Sequence, residues 1–230
     1  MIRFVCVIAV TLAGTAWAQD APELKTSKEK ISYALGMDLG NQVKKQPIEI
    51  NPELFIQGLK DTLLGGKMLM TEEQARATLT ELQKEMIQKQ QAQAAAIAEK
   101  NKAEGEAFLA KNKTAEGVVT LPSGLQYKIL KAGEGKKPVL EDTVVCNYRG
   151  TLINGTEFDS SFKRNEPATF PVKGVIKGWT EALQLMPVGS KWQLFVPSNL
   201  AYGERGAAGG AIGPNATLIF EVELLSIKDK

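Results

Sequence analysis

From Thr71 to Glu116 the chain carries no proline and one glycine, Gly105. A stretch of that length, rich in Ala, Gln, Lys and Glu, has one ordered solution. These residues favour the helix, and nothing in the run breaks the backbone hydrogen-bond ladder. Thr71-Glu72-Glu73-Gln74 reads as a capping box, with Thr71 as N-cap and Gln74 as N3. The helix is predicted to run to about residue 112, roughly 60 Å at 1.5 Å per residue. Ala75, Leu79, Leu82 and Met86 alternate four and three apart, the spacing of a packed seam. Beyond Met86 the seam gives way to Gln-Ala-Gln-Ala-Ala-Ala and then to mixed charge. There the helix is expected to persist through Ala propensity and local charge pairs, as a solvated strut. The competing reading of that half is a partly disordered linker.

This run divides the chain near residue 117. Of 21 glycines, 14 lie at or beyond Gly117, as do seven of the 10 prolines. Ahead of the run two shorter helices are predicted. Ser27-Lys28-Glu29-Lys30 opens the first, with Ile31, Leu35 and Leu39 as its stripe. Asn51 as N-cap and Pro52 at the first helical position open the second; Leu54, Phe55, Leu59 and Leu63 are expected to face inward, and Gly65-Gly66 ends it. Residues 1–18 read as a secretory leader: Arg3, then an apolar run from Phe4 to Thr15, then Ala16-Trp17-Ala18 before cleavage at Gln19. That apolar run is too short to span a bilayer. Removal of the leader takes Cys6 with it and leaves Cys146 as the one cysteine, expected as a small buried hydrophobe.

Past residue 117 the pattern is that of strands. Residues 125–131, 143–152, 168–172, 190–196 and 216–227 are predicted strands, Asn154-Gly155 a turn, and 178–186 one short helix. Phe220, Val222 and Leu224 alternate with Glu221 and Glu223, so one face of the last strand is buried. The fold class is therefore α+β: an antiparallel sheet wrapped on one short helix, preceded by an all-α domain and a long connecting helix. The expected domains are 19–70, the connecting helix 71–116, and 117–230.

The chemistry available is narrow. The chain has no histidine, which removes Ser-His and Cys-His nucleophilic sites and imidazole zinc sites. No Gly-rich loop ends in Gly-Lys-Ser/Thr, and a formal net charge of +2 gives no footprint for nucleic acid. No cofactor or metal is expected. What remains is an aromatic-rich C-terminal half organised around Val175-Ile176-Lys177-Gly178-Trp179. Here Gly178 is read as allowing a tight turn, and the Trp opens a helix with Ala182, Leu183 and Met186 on one side. Read alone, this stretch favours Trp179 as a core residue capping a sheet.

Five stretches supply its company. Asn147-Tyr148-Arg149-Gly150, Gly155 to Ser161, Val175 to Trp179, Ala201-Tyr202-Gly203 and Ala216 to Leu224 resemble, in order, the FKBP-type peptidyl-prolyl isomerases. The resemblance covers residues 120–228 and implies that Trp179 is the floor under a substrate proline. Tyr148, Phe158, Phe170, Val175, Ile176, Ile212 and Phe220 would be walls. Tyr202 would donate its hydroxyl, and Ile176 its backbone N–H, to substrate carbonyls; Asp159 would sit near the twisting amide, oriented by Tyr148 and Arg164. For Phe170 and Phe220 a plain core role is the alternative, and for Asp159 a plain ion pair with Arg164. Trp192 is assigned to the core. Ala168 stands where many members carry a bulky aromatic and is expected to open one wall. The loop from Glu204 to Gly213 has small residues and Ile212 but no histidine or tandem proline.

The N-terminal half resembles the helical domain of Mip-type (macrophage infectivity potentiator-like) bacterial isomerases, through Tyr33-Ala34-Leu35-Gly36 and Phe55-Ile56-Gln57-Gly58-Leu59. That implies a homodimer through the N-terminal helices, unfolded or proline-containing polypeptides as partners, and macrolides as candidate inhibitors. No nucleic acid and no membrane span are expected. Localisation is expected to be exported, in the periplasm or at the outer surface. Two other function classes stand beside the isomerase: a holdase chaperone, and a surface adhesion or scaffold protein.

Overall fold

The computed structural model describes residues 23–207 and 209–228. The leader expected at 1–18 lies outside the described residues. The chain divides into two units, Met1–Glu72 and Glu73–Lys230.

Local chemistry sets the first unit's helices. Helix α1 (Ser27–Lys44) is capped by Thr26, whose hydroxyl accepts from the Glu29 N–H at 3.2 Å while Glu29 Oε2 accepts from the Thr26 N–H at 2.9 Å. Helix α2 (Pro52–Leu64) starts at Asn51, whose side chain accepts from the Glu53 and Leu54 N–H groups, and stops at Gly65 with φ 70°. Neither helix buries a residue. Of the α2 stripe expected to face inward, Phe55 is half-buried and Leu54, Leu59 and Leu63 are exposed.

Helix α3 (Glu72–Asn112) is continuous over 41 residues. Its last turns are not a solvated strut. Gly105 is buried, and a Cβ there would sit 2.3 Å from Thr217 Oγ1. Phe108 packs on Phe195 with ring centroids 5.9 Å apart. Gln126 donates to the Leu109 carbonyl at 2.9 Å and accepts from Asn112 Nδ2 at 2.8 Å. The lone glycine of the helix is therefore a docking point that only a residue without a side chain could provide.

The sheet beneath comprises β1 (Val118–Thr120), β2 (Gln126–Lys131), β3 (Thr143–Leu152), β4 (Glu157–Ser160), β5 (Ala168–Pro171), β6 (Lys191–Val196) and β7 (Leu218–Ile227). All pairings are antiparallel, in the order β1-β2-β6-β7-β3-β4. β5 shares the outer edge of β3 with β4, pairing along Thr143–Cys146 while β4 pairs along Arg149–Thr151. Helix α4 (Lys177–Leu185) buries Trp179, Ala182 and Leu183 in one core with Val144, Tyr148, Leu194, Phe220 and Val222. Trp192 belongs to that core and stacks on Tyr127 at 4.3 Å. Cys146 is fully buried, which pushes its thiol pKa up to about 12. This is the α+β architecture expected from the strand and helix pattern.

Candidate active site

β3 changes partner between Cys146 and Arg149, and Tyr148 sits in that gap. Ser161 supplies what no strand does there. Its N–H donates to the Tyr148 carbonyl at 2.9 Å, and its buried hydroxyl accepts from the Tyr148 N–H at 2.9 Å. With its backbone held, Tyr148 projects its ring against Phe170 and Trp179, at 5.6 and 5.4 Å between centroids.

Trp179 is brought in by α4. Ile176 is the N-cap, extended at φ −60° and ψ 149°, and its carbonyl accepts from the Trp179 and Thr180 N–H groups. Its own N–H donates to no group among the described residues. Gly178 has an ordinary helical backbone; what its missing side chain permits is close approach, since a Cβ would meet Val196 Cγ1 at 2.6 Å. Tyr148, Phe170 and Phe220 stand at 81–88° to the indole plane, with centroids 5.3–5.6 Å from it. Phe158 packs edge-on against Phe220 at 5.6 Å. The result is a box with an aromatic floor and perpendicular walls, each pair in the favoured edge-to-face geometry.

The cavity measures about 600 Å³. Its lining brings together Tyr148, Phe158, Asp159, Phe170, Val175, Ile176, Trp179, Tyr202, Ile212 and Phe220. Arg164 is not in the lining; it reaches Asp159 from outside, Nη1 to Oδ1 at 2.6 Å, and donates from Nη2 to the Tyr148 hydroxyl at 2.9 Å. The Tyr148 hydroxyl donates in turn to Asp159 Oδ2, and the Ser160 N–H to Oδ1 at 2.8 Å. Burial pushes the Asp159 pKa up, but the hydrogen bonds from Tyr148 and Arg164 outweigh it, and the carboxyl stays below its ordinary range. Burial, and then the Asp159 contact, push the Tyr148 phenol up. Asp159 is thus a fixed anion at the rim of an apolar box. Tyr202, 42% exposed, lines the same cavity.

Two features add to the sequence reading. Ala168 does not border the cavity: it packs against the core, and Phe170, two residues along the same strand, fills the wall. Gly174, Ala207 and Ala211 also line the cavity, and Ser161 holds Tyr148 in place. Small residues contribute backbone and space rather than chemistry, so composition gives no signal for them. Ser161 could have been singled out, since it lies within the Gly155–Ser161 stretch.

Comparison with known proteins returns two family models. Residues 134–225 match the FKBP-type peptidyl-prolyl cis-trans isomerase model, and residues 28–129 match the domain amino terminal to FKBP-type peptidyl-prolyl isomerase. The outer membrane protein MIP of Legionella longbeachae is 51% identical over 222 residues, covering 96% of this chain and 95% of that protein. The peptidyl-prolyl cis-trans isomerase Mip of Coxiella burnetii is 50% identical over 219 residues, covering 95% and 94%. The crystal structure of FkpA from Escherichia coli aligns over 90% of this chain and 99% of that one, with a TM-score of 0.71 at 38% identity.

Proposed function

Because the chain belongs to the FKBP-type peptidyl-prolyl cis-trans isomerases, we propose that the box on Trp179 is where an X-Pro amide is twisted, and that it works by desolvation and directed hydrogen bonds. The reaction, rotation about the amide preceding proline in a polypeptide, breaks no bond. Uncatalysed it takes tens of seconds, and a roughly 10⁴-fold acceleration means lowering the barrier by about 5–6 kcal/mol. In the planar ground states resonance places charge on the amide oxygen and nitrogen, and water stabilises that separation. The twisted state loses the resonance and much of the charge. Walls of Phe158, Phe170 and Phe220 around the indole exclude water, so the planar forms lose more solvation than the twisted one. The Tyr202 hydroxyl and the unengaged Ile176 N–H are the donors for substrate carbonyls. Asp159, held by Tyr148 and Arg164, fixes a negative charge beside the reacting amide.

The observation that carries this reading is the pairing of an aromatic-walled box with the Tyr202 hydroxyl and the Ile176 N–H, which no group among the described residues engages. Exchange NMR on an X-Pro tetrapeptide tests it. The full-length protein should accelerate cis–trans exchange, and Asp159→Asn and Tyr202→Phe should each lower that rate while the fold is kept. Unchanged exchange in both variants would remove these residues from the mechanism.

The helical half is assigned to homodimerisation. Ile31, Tyr33, Leu35 and Met37 of α1, Leu54, Ile56, Leu63 and Leu64 of α2, and Leu79 of α3 are all exposed, far more apolar surface than a monomer ordinarily leaves to water. A second copy covers such a stripe with its own, the commonest oligomeric arrangement. Two pockets in one assembly then engage one unfolded client with a gain in avidity, which suits a folding catalyst with chaperone activity on exported proteins. The leader-like residues 1–18 and the likeness to the outer membrane protein MIP of Legionella longbeachae support export, to the periplasm or outer surface. Among the described residues no helix is long and apolar enough to cross a membrane.

A further inference from the structure

The long helix reaches the pocket without lining it. Asn101, on α3, donates its side-chain N–H to the Pro214 carbonyl at 2.7 Å in a partly buried contact. The neighbouring Gly213 lies so close that a Cβ there would stand 3.1 Å from the same amide nitrogen and 3.5 Å from Ile97 Cγ2. The next residue back is Ile212, which is 5% exposed and forms part of the cavity wall. Two peptide units separate the held carbonyl from the side chain in the wall.

The loop carrying Ile212 is held by the burial of Ile212 in the core, by Ala207 against that core, and by few polar contacts from outside. Residues 206–211 are all Gly or Ala, Gly206, Gly209 and Gly210 adopt positive φ, and Ala207 packs against the core with a side chain of one carbon. Among the described residues four backbone bonds close the loop on itself: Gly206 N–H to the Gly203 carbonyl at 3.4 Å, Ala207 N–H to the Ile212 carbonyl at 3.0 Å, Gly210 N–H to the Ala207 carbonyl at 3.3 Å, and Asn215 N–H to the Gly203 carbonyl at 2.8 Å. None of them ties it to another element. Among the described residues the Asn101 amide makes the one side-chain hydrogen bond to residues 203–215.

We infer that Asn101 is a positioning residue for the isomerase: it anchors the loop from the connecting helix so that Ile212 closes on the substrate. The helix is then part of the substrate-binding apparatus as well as a connection. The inference rests on the assignment of Ile212 to the substrate wall, and the test separates the two.

In the full-length protein, kcat and KM for an X-Pro tetrapeptide are compared for wild type, Ile212→Ala, Asn101→Ala, Asn101→Asp and the double variant Asn101→Asp/Ile212→Ala. Asp has the size and shape of Asn but cannot donate to a carbonyl when ionised. Both Asn101 variants should raise KM roughly three- to tenfold, the size expected for one hydrogen bond, with much smaller change in kcat. Asn101→Asp should add nothing to Ile212→Ala, because both act through one contact. If Ile212→Ala itself leaves KM unchanged, the wall assignment fails and takes the inference with it. If Ile212→Ala raises KM but the Asn101 variants do not, or if the two effects multiply in the double variant, the inference alone is overturned.

Discussion

The first unit and the second bury their apolar residues in opposite ways. In residues 73–230, Leu125, Leu183, Leu194, Leu218 and Leu224 are fully buried in one core between sheet and α4. In α1 and α2 no residue is buried, and Leu64 and Leu69 are 79% and 77% exposed. Both units carry regular apolar periodicity. The difference teaches that a stripe announces a face to be covered without saying whether the cover lies in the same chain. One core is complete within its own unit; the other supports the proposal that a second copy completes it.

The sharpest way to break that comparison is at the seam. Leu79→Glu/Leu82→Glu in the full-length protein should convert a dimer into a monomer at micromolar concentration, read by sedimentation. Tetrapeptide activity should survive, while efficiency on unfolded proteins drops on the order of tenfold or more with the lost avidity. Wild-type protein sedimenting as a monomer would end the argument from exposure.

Within the complete core, Phe220→Ala should cost about 3–5 kcal/mol in denaturant melts, because the ring packs on both Phe158 and Trp179 and its loss leaves a cavity. A shorter cut sharpens the boundary. A fragment starting at 117 removes Gly105, Phe108 and Leu109 from the sheet, and should be less stable than one starting at 73 by about 2–4 kcal/mol. Equal melting of the two would show that the docked turns of α3 contribute nothing.

The smallest effect expected is that of pH. Asp159 titrates below its ordinary value of 3.8, so its charge and the stability it brings are fully present above that value and are lost only as pH falls through the lower folded one. Tyr148 titrates above 10 and stays protonated. With no histidine in the chain, kcat/KM should be level from about pH 5 to pH 9. Asp159→Asn should lower turnover yet shift stability by no more than about 1 kcal/mol, since the ion pair is half-exposed. A kcat/KM that titrates near neutrality would mean that some other group governs the rate.

Much of this was legible from residues whose chemistry acts locally. Asn51, Pro52 and Gly65 bracket α2 because cap and stop are short-range effects, and the alternation of β7 follows from one wet face. Two elements were not legible. β1 has three residues and β4 four, too short for alternation to show, and β4 is further masked by the register shift at Gly150/Thr151. The docking role of Gly105 was not legible because helix propensity is local, whereas its contact with Thr217 is made across 112 positions of sequence. The aromatic walls were legible by resemblance. Gly174, Ala207 and Ala211 were not, since a residue that serves by being small leaves no chemical mark.

The sealed Cys146 thiol has a consequence for the chains this isomerase handles. Thiol–disulfide exchange needs a thiolate with access to the other sulfur, and a fully buried group with a pKa pushed up to about 12 offers neither. Clients whose own cysteines still await their partners can enter and leave without forming a mixed disulfide at Cys146. Proline geometry can therefore be reset without this thiol taking part in a client's disulfide chemistry.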